Sequence, residues 1–419
     1  MSLNATPALL VAQLGARRHY AIPRMLHEAG MLKAFFTDVC AVKGWPQLLR
    51  FVPRLLRPPG LKRLLGRIPK GVPSNKITAL NFFGFEYARR RMTAQSVADS
   101  TLAYLWAGRQ ICEQVLAEGL EGATGVYTFN SAGLELLKAA RQQGLCAIME
   151  QTIAPYELEC QLLEREHGDY PDWEPSPQAN GRAAEFIARE KAEWEQADLI
   201  LCGSEFVKDG IGRCRGPVGK CAVVPYGVDA SFELPERGPR RPGPLRVLTV
   251  GAVGLRKGSP YVLGAARALR GRVEFRMVGS VGVQPEAVAQ MEQAGVELRG
   301  PVPRSEVINQ YEWADVFLLP SICEGSATAT YEAVACGLPV IVTPNTGSVV
   351  KHGVEGFIVP VRDVGAIVEK LDLLDKNAAL RLRMSRQARA LARANTLQAY
   401  SERLIGAVKA LLSERQSST

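Results

Sequence analysis

Hydrophobic residues along the chain fall into two alternating patterns: short runs rich in branched and aromatic side chains, and longer stretches with helical spacing. Short buried runs that alternate with amphipathic helices are typical of parallel sheets covered by helices on both faces. In the first half, the pattern predicts strands at 9–13, 34–37, 125–129, 147–150 and 199–202. The long helices of this half are predicted at 92–120, 132–143 and 181–196.

A tract rich in proline, glycine and arginine, residues 233–245, interrupts this alternation and predicts a linker. The second half has strands predicted at 247–250, 274–278, 297–299, 316–319, 340–343 and 356–359, and closing helices at 377–393 and 397–413. The predicted fold class is therefore α/β, with two doubly wound Rossmann-like domains, residues 1–232 and 246–396, that face a central cleft. Ligands bind such sheets at the carboxyl ends of the strands.

Length and composition agree with two soluble domains, because 419 residues exceed what one hydrophobic core can hold. No run approaches the roughly 18 apolar residues of a spanning helix, and the N-terminus has no basic residue before Arg17, so we expect neither a membrane span nor a secretory signal. The nine cysteines are scattered, without a C-x-x-C pair or zinc spacing. We therefore expect no bound metal and a cytoplasmic location.

The net charge of +9 is concentrated in one stretch. Residues 39–85, the basic segment, contain nine Lys or Arg and no Asp or Glu, so the rest of the chain sums to zero. Its apolar residues interleave with the cations, which suits attachment to an anionic membrane surface. The alternative is an insertion whose apolar side packs on its own domain while its charges face solvent. No nucleic-acid-binding motif accompanies the charge, so a nucleic-acid partner is not expected.

The first candidate site follows the strand predicted at 316–319. Glu324 comes at the end of that strand, Gly325 permits a tight turn, and a helix is predicted to begin near Ser326, which could cap it. The N–H groups of such a helix start suit a phosphate. Glu332 lies eight residues after Glu324. Two carboxylates beside a phosphate site would accept hydrogen bonds from ribose or sugar hydroxyls; the alternative is a pair of solvated surface glutamates.

A second candidate site follows the strand that ends at Val250. The loop 251–258 combines three glycines with Arg256 and Lys257, a composition that suits a pyrophosphate. Cations in such a loop are otherwise solvated surface residues. The glycine spacing matches neither a Walker loop nor the dinucleotide fingerprint, which disfavours a nicotinamide dehydrogenase.

Together these residues resemble glycosyltransferase family 4, retaining enzymes with the GT-B fold. The resemblance rests on Glu324 and Glu332 with their eight-residue spacing, on Lys257 followed by glycine, and on the segments 223–229 and 353–357. It implies a GT-B fold whose last helix, within residues 397–419, crosses back to the first domain. It also implies transfer of a hexose or related sugar from a nucleotide diphosphate donor, with UDP expected, to a lipid-linked or polysaccharide acceptor. Neither a metal nor a cofactor is implied.

The resemblance also assigns roles to individual residues. It implies that Glu332 holds the ribose, Glu324 the hydroxyls of the donor sugar and Lys257 the diphosphate. Further donor contacts are implied for Gly15, Gly254, Val302, Gly325, Ser326, Ala327, Thr328 and Ala329. Of these, Val302 belongs to the loop 300–303, which resembles the base-contacting loop of the family.

The chain departs from the family pattern at two positions. The family usually has an arginine where this chain has Ala252, and we expect Arg256 to supply that charge. The family often has a histidine at the end of a first-domain strand, where this chain has Glu150 and Gln151; we expect one of these to position the sugar. His19 is expected to contact the acceptor. Two alternatives stay open, a sugar-nucleotide epimerase and a catalytically idle binding subunit.

Overall fold

A computed structural model describes residues 7–53, 56–174, 180–236 and 243–417. Its N-terminal sheet has seven parallel strands in the order β3-β2-β1-β4-β5-β6-β7. These strands are β1 (Leu9–Gln13), β2 (Leu32–Thr37), β3 (Ile77–Ala79), β4 (Gly125–Phe129), β5 (Cys146–Gln151), β6 (Leu199–Cys202) and β7 (Cys221–Val223). The α-helices of this half are α1 (Ala21–Glu28), α2 (Pro59–Leu65), α3 (Asn81–Thr93), α4 (Val97–Glu118), α5 (Leu134–Gln142), α6 (Tyr156–Asp169), α7 (Ala183–Gln196) and α8 (Glu205–Arg213).

The C-terminal sheet has six parallel strands in the order β10-β9-β8-β11-β12-β13. They are β8 (Leu245–Val250), β9 (Val273–Val278), β10 (Val296–Leu298), β11 (Val316–Leu319), β12 (Val340–Val342) and β13 (Gly356–Ile358). The helices are α9 (Ser259–Ala268), α10 (Pro285–Gln293), α11 (Arg304–Trp313), α12 (Thr328–Ala335), α13 (Val364–Lys376), α14 (Ala378–Ala394) and α15 (Leu397–Ser417). The prediction of two doubly wound α/β domains is confirmed.

The predicted strands in the middle of each sheet are mostly buried on both faces, whereas the edge strands β3 and β7, which were not predicted, are only partly buried. All residues of β1, β4 and β11 are buried, as expected for parallel strands covered by helices on two sides. The single helix predicted at 92–120 is wrong: α3 ends at Thr93 and α4 begins at Val97. The side chain of Ser96 accepts the N–H of Asp99 and starts the second helix, so a cap within the predicted stretch divides it. Of the predicted linker, residues 237–242 lie outside the described residues, and Leu245 belongs to β8.

Two helices connect the domains beyond the covalent link. α15 lies against the N-terminal domain, where Arg403 donates to the carbonyl of Pro225 and Arg415 lies 3.6 Å from Asp198. α6 crosses in the other direction, from the N-terminal domain to the C-terminal domain. It follows β5, and its Leu162 and Leu163 pack against the core of the C-terminal domain. The carboxyl ends of the two sheets are therefore held facing each other.

Two buried carboxylates of α7 brace the loops that follow β4 and β5. Glu193 accepts the N–H groups of Ser131 (2.6 Å) and Gly133 (2.9 Å), and Glu190 accepts the N–H of Tyr156 (2.8 Å). Burial raises the pKa of Glu190 and that of Glu193 to about 7 each, against an ordinary value of 4.5. Between pH 4.5 and about pH 7, these two carboxyl groups therefore hold more protons in the folded protein than in the unfolded chain.

Because the folded-state pKa of Glu193 is raised, its contribution to stability is present at low pH and is lost as pH rises through about 7. We predict that Glu193→Gln, which cannot titrate, will flatten the decline of the unfolding free energy between about pH 5 and pH 8. Urea unfolding at several pH values measures this slope. Glu195→Gln, at an exposed position of the same helix, is the control. A slope in Glu193→Gln equal to that of the unmodified protein would contradict the assignment.

Candidate functional site

Two loops of the C-terminal sheet bring the predicted charged residues together. β8 and β11 are neighbours in the sheet, so the loops that follow them meet at its carboxyl edge. The Glu324 carboxylate lies 2.7 Å from Lys257 Nζ and 3.2 Å from Arg256 Nη1, and Glu324 is only 7% exposed. The two candidate sites found in the sequence are thus one site.

Glycine at position 258 permits this close approach. Its backbone has φ +72°, in the left-handed region, and a Cβ atom there would lie 2.0 Å from the carbonyl oxygen of Pro320. The turn Leu255–Lys257 immediately before it is a single 3-10 turn. Gly258 therefore lets the lysine loop lie directly against the loop that carries Glu324.

Burial and the neighbouring carboxylate act in opposite directions on Lys257. Burial lowers the pKa of the Lys257 ammonium, and the negative charge of Glu324 partly offsets that shift. A buried ammonium is costly unless it is paired, so the cation and the carboxylate stabilise each other. A phosphate that reached Lys257 would supply a second negative partner.

The helix that follows Glu324 begins two residues later than expected. α12 starts at Thr328 with Ala327 at its N-cap, so the prediction that Ser326 caps it is wrong. The Ser326 hydroxyl instead lies 2.8 Å from the Tyr331 hydroxyl and donates to the carbonyl of Gly347 (3.1 Å). Ala327 N–H donates to Thr346, whereas the N–H groups of Thr328 and Ala329 have no acceptor among the described residues. These two donors are available to an anion.

Glu332 lies on α12, where two hydrogen-bond donors hold its side chain. Its carboxylate accepts from Arg304 Nη1 (3.0 Å) and from the Tyr311 hydroxyl (2.9 Å). Burial raises the pKa of Glu332, and Arg304 opposes the shift. Arg304 directly follows the loop 300–303, and Val302 in that loop is partly buried. The predicted ribose-binding and base-contacting residues are therefore neighbours.

Glu150 and Gln151, expected to position the sugar, are engaged inside the N-terminal domain. Glu150 accepts from the hydroxyls of Tyr127 (2.7 Å) and Tyr226 (3.1 Å) and pairs with Arg18. Gln151 is fully buried, donates to Glu190 and accepts from the Trp194 indole. Both side chains are therefore hydrogen-bonded to groups of their own domain.

The loop after β1 carries Gly15 and His19. Gly15 has φ +71°, and its N–H donates to Asp38 (3.0 Å). Arg18, His19 and Tyr20 follow with φ of 44°, 50° and 61°, a run that is strained for residues other than glycine. The Arg18 guanidinium, 4.1 Å from the centre of the Tyr226 ring, anchors this run. The His19 side chain is largely exposed; the burial of part of its ring lowers its pKa, and the positive charge of Arg304 adds to that shift.

The two domains touch at the Glu324 loop. Ala154 N–H donates to the Glu324 carbonyl (3.2 Å), and the Ser204 hydroxyl donates to the carbonyl of Gly325. A Cβ atom at Gly325 would lie 2.1 Å from the carbonyl oxygen of Thr152. Only glycine fits this contact, so the loop that carries Glu324 is also the point at which the cleft closes.

A cavity of about 780 Å³ lies between α14 and the segment 230–236. Three arginines line it, but the described residues already engage each of them: Arg386 pairs with Glu236 (2.9 Å), Arg389 donates to two carbonyls and Arg393 lies 3.4 Å from Glu233. It is therefore a weaker anion site than the loops at Lys257 and Thr328.

Sequence reasoning missed the residues that hold the predicted ones in place. Arg304 and Tyr311 both contact Glu332, and Arg18 and Tyr226 both contact Glu150. Tyr226 belongs to the segment 223–229, which the sequence had singled out, and Arg304 directly follows the loop 300–303. Tyr226 thus lies inside a recognised segment and Arg304 one residue beyond one, whereas no local pattern predicts that Arg18 pairs with Glu150, 132 residues away.

Comparison with solved structures identifies the fold as GT-B. A structure titled Anabaena Alr3699/HepE in complex with UDP and glucose aligns with a TM-score of 0.61 and 14% identity, over 96% of this chain and 100% of that one. A structure titled WaaG, a glycosyltransferase involved in lipopolysaccharide biosynthesis, aligns with a TM-score of 0.61 and 15% identity, over 95% and 98%. The two facing α/β domains of this chain therefore form a GT-B fold.

The sequence comparisons point to the same class in the C-terminal half. Residues 244–377 match the family described as "Glycosyl transferases group 1". The amylovoran biosynthesis glycosyltransferase AmsK of Erwinia amylovora is 28% identical over 44% of this chain and 49% of its own length. The N,N'-diacetylbacillosaminyl-diphospho-undecaprenol alpha-1,3-N-acetylgalactosaminyltransferase of Campylobacter jejuni is 26% identical over 32% and 36%. The chain spans about half the length, or less, of the curated relatives it matches.

The contact at Gly325 predicts the effect of adding one methyl group. Gly325→Ala should destabilise the protein by about 1–3 kcal/mol and separate the domains, because the new Cβ would collide with backbone that cannot rotate away. Thermal unfolding measures the first effect and small-angle X-ray scattering the second. Gly406→Ala, in α15, is the control, since a Cβ there meets no atom within 4 Å. An unchanged melting temperature and radius of gyration in Gly325→Ala would show that the domains do not touch here.

Proposed function

We propose that the protein is a retaining glycosyltransferase that moves a hexose or related sugar from a UDP-sugar to a lipid-linked or polysaccharide acceptor. The observation that carries this proposal is the meeting of Lys257, Glu324 and the open N–H groups of Thr328 and Ala329 at the edge of the C-terminal sheet. The GT-B fold and the match of residues 244–377 support it.

In the proposed complex the diphosphate lies between Lys257 and the start of α12, where charge and N–H donors favour an anion. Glu332, oriented by Arg304 and Tyr311, accepts the ribose hydroxyls. Glu324 accepts hydroxyls of the donor sugar. Each acid thus binds a neutral, hydroxyl-bearing group, while the cation binds the charged one.

The proposed chemistry requires no protein nucleophile. The bond between the anomeric carbon and the leaving diphosphate oxygen breaks while the acceptor oxygen bonds to that carbon on the same face. The leaving diphosphate oxygen takes the acceptor proton. Lys257 and the helix N–H groups stabilise the charge that develops on the diphosphate, and the closed cleft orients the reactants. Because these groups supply the charge stabilisation, we expect a chelator to leave the rate unchanged.

The acceptor class rests on the relatives and on an exposed surface of the N-terminal domain. The Campylobacter jejuni relative is named for a lipid-linked acceptor, and AmsK for amylovoran biosynthesis. In this chain, six large apolar side chains of the basic segment and α3 are exposed, by 62% to 88%: Leu48, Phe51, Leu56, Phe82, Phe85 and Met92. Several cations of the same elements, Arg50 and Arg63 among them, are also exposed.

This apolar and cationic surface adjoins the loop after β1. Arg67 of the basic segment pairs with Asp38 (2.8 Å), the same carboxylate that accepts the N–H of Gly15. We propose that the surface docks on an anionic membrane at the cytoplasmic face, which would bring a lipid-linked acceptor to Gly15 and His19. No helix in the described part of the chain is long and apolar enough to cross a membrane.

The donor site predicts distinct effects for two substitutions. Lys257→Ala should lower turnover by about 10²- to 10³-fold, because it removes charge stabilisation from the leaving group. Glu332→Gln should mainly weaken nucleotide binding, about tenfold, because it replaces a charged hydrogen-bond acceptor. UDP release from UDP-sugars, with a membrane lipid extract as acceptor, gives kcat and KM for both.

Lys351→Ala and Glu286→Gln, at exposed positions of the same domain, are the matched controls. Full activity in both site variants would refute the donor site. Donor consumption that yields a new nucleotide sugar and no glycoside would select the epimerase. Nucleotide binding without any donor turnover would select an idle binding subunit.

The membrane surface predicts that Phe51→Ser combined with Phe82→Ser will weaken binding to vesicles roughly tenfold or more, because two exposed aromatic anchors are lost. Co-sedimentation with phosphatidylcholine vesicles, with and without phosphatidylglycerol, measures it. Val281→Ser combined with Leu373→Ser removes exposed apolar residues of the C-terminal domain and is the control. Equal binding of the two double variants would contradict membrane docking through this surface.

A further inference from the structure

A segment of the N-terminal domain lies across the Lys257 loop. We call residues 156–174, which comprise α6 and the turn after it, the strap. Glu166 of the strap accepts the hydroxyl of Tyr261 (2.7 Å) and pairs with Arg362, both in the C-terminal domain. Trp173, 4% exposed, packs in the C-terminal core, and its carbonyl accepts the N–H of Gln284 (2.8 Å). The end of the strap is thereby fixed on the opposite domain.

The strap ends in a carboxylate that occupies a backbone donor of the lysine loop. Glu174 Oε1 accepts the N–H of Leu255 at 2.6 Å, two residues before Lys257. A Cβ atom at Gly254 would lie 2.4 Å from the same oxygen, so the Glu174 carboxylate lies directly against this part of the loop. Burial raises the pKa of Glu174, and the charge of Arg256 opposes the shift. The loop proposed to bind a diphosphate therefore already binds an anion of this chain.

A second acid of the strap, Glu159, also interacts with Arg256. Glu159 lies seven residues, about two helical turns, before Glu166, hence on the same face of α6, and it interacts electrostatically with Arg256 and Glu324. Arg256 pairs with Glu324 (3.2 Å) and also interacts electrostatically with Glu159 and Glu174. The charges of Arg256 and Lys257 are thus already engaged by acids of this chain, and a diphosphate must compete with those acids for them.

We propose that Glu174 is an internal competitor of the donor diphosphate: it holds the Leu255 N–H until a nucleotide displaces it. The strap then releases the loop, and Arg256 exchanges its carboxylate partners for phosphate oxygens. This inference rests on the proposed donor site. In this proposal the strap sets the affinity for nucleotides, because the free energy needed to displace Glu174 weakens the binding of each of them.

Nucleotide affinity tests this competition directly. Glu174→Gln keeps a side-chain oxygen for the Leu255 N–H but removes the charge, and Glu174→Ala removes both. We expect UDP to bind roughly five- to tenfold more tightly to each variant than to the unmodified protein, a coupling of ordinary size. Isothermal titration with UDP, GDP and ADP measures it, and thermal unfolding of each variant confirms that it is folded. Asp169→Asn, an exposed acid of the same strap, is the control and should leave affinity unchanged.

The outcomes separate this inference from the proposed function. If none of the three nucleotides binds the unmodified protein or the variants, the donor site itself is wrong. If UDP binds the unmodified protein and Glu174→Gln binds it equally or less tightly, the donor site stands and the competition is overturned.

Discussion

The buried pair between Lys257 and Glu324 is the contact on which the rest of the site depends. An ammonium removed from water is tolerated only beside a compensating charge, and Glu324 supplies that charge at 2.7 Å. The pair requires the loops after β8 and β11 to lie against each other, which Gly258 permits. It also fixes the loop that continues into Gly325 and the start of α12. The contact between the two loops therefore accounts for the charge pair and for the position of the N–H groups at the start of α12.

The same loop couples the site to the position of the domains. Gly325 touches the backbone of Thr152, and the carbonyls of Glu324 and Gly325 accept hydrogen bonds from the N-terminal domain. The strap adds a second connection from that domain, which ends at Leu255. The proposed diphosphate position between Lys257 and Thr328 therefore lies beside loops that make both interdomain contacts. Ligand binding and domain position are linked by geometry in this fold, without a separate signalling element.

Much of this arrangement could be predicted from the sequence, for a physical reason. Strands buried on both faces are continuous apolar runs, so most of the two sheets could be predicted, and ligand loops follow the carboxyl ends of such strands. That Glu324 and Lys257 share one site was implied only by the family resemblance, because the strand order, which makes β8 and β11 neighbours, has no local signal in the sequence. Contacts between distant segments could not. Ser326 fails to cap α12 because Tyr331 and Gly347 engage its hydroxyl, and Glu150 turns inward because Arg18, Tyr127 and Tyr226 surround it. The apolar residues of α6 do not form one simple helical stripe, because the helix packs against the cores of both domains.

The most direct test is a crystal structure with UDP bound. The account predicts diphosphate oxygens within hydrogen-bonding distance of Lys257 Nζ and of the Thr328 and Ala329 N–H groups, with the ribose hydroxyls on Glu332. A nucleotide bound elsewhere, with Lys257 still paired only to Glu324 and no phosphate at the start of α12, would contradict it.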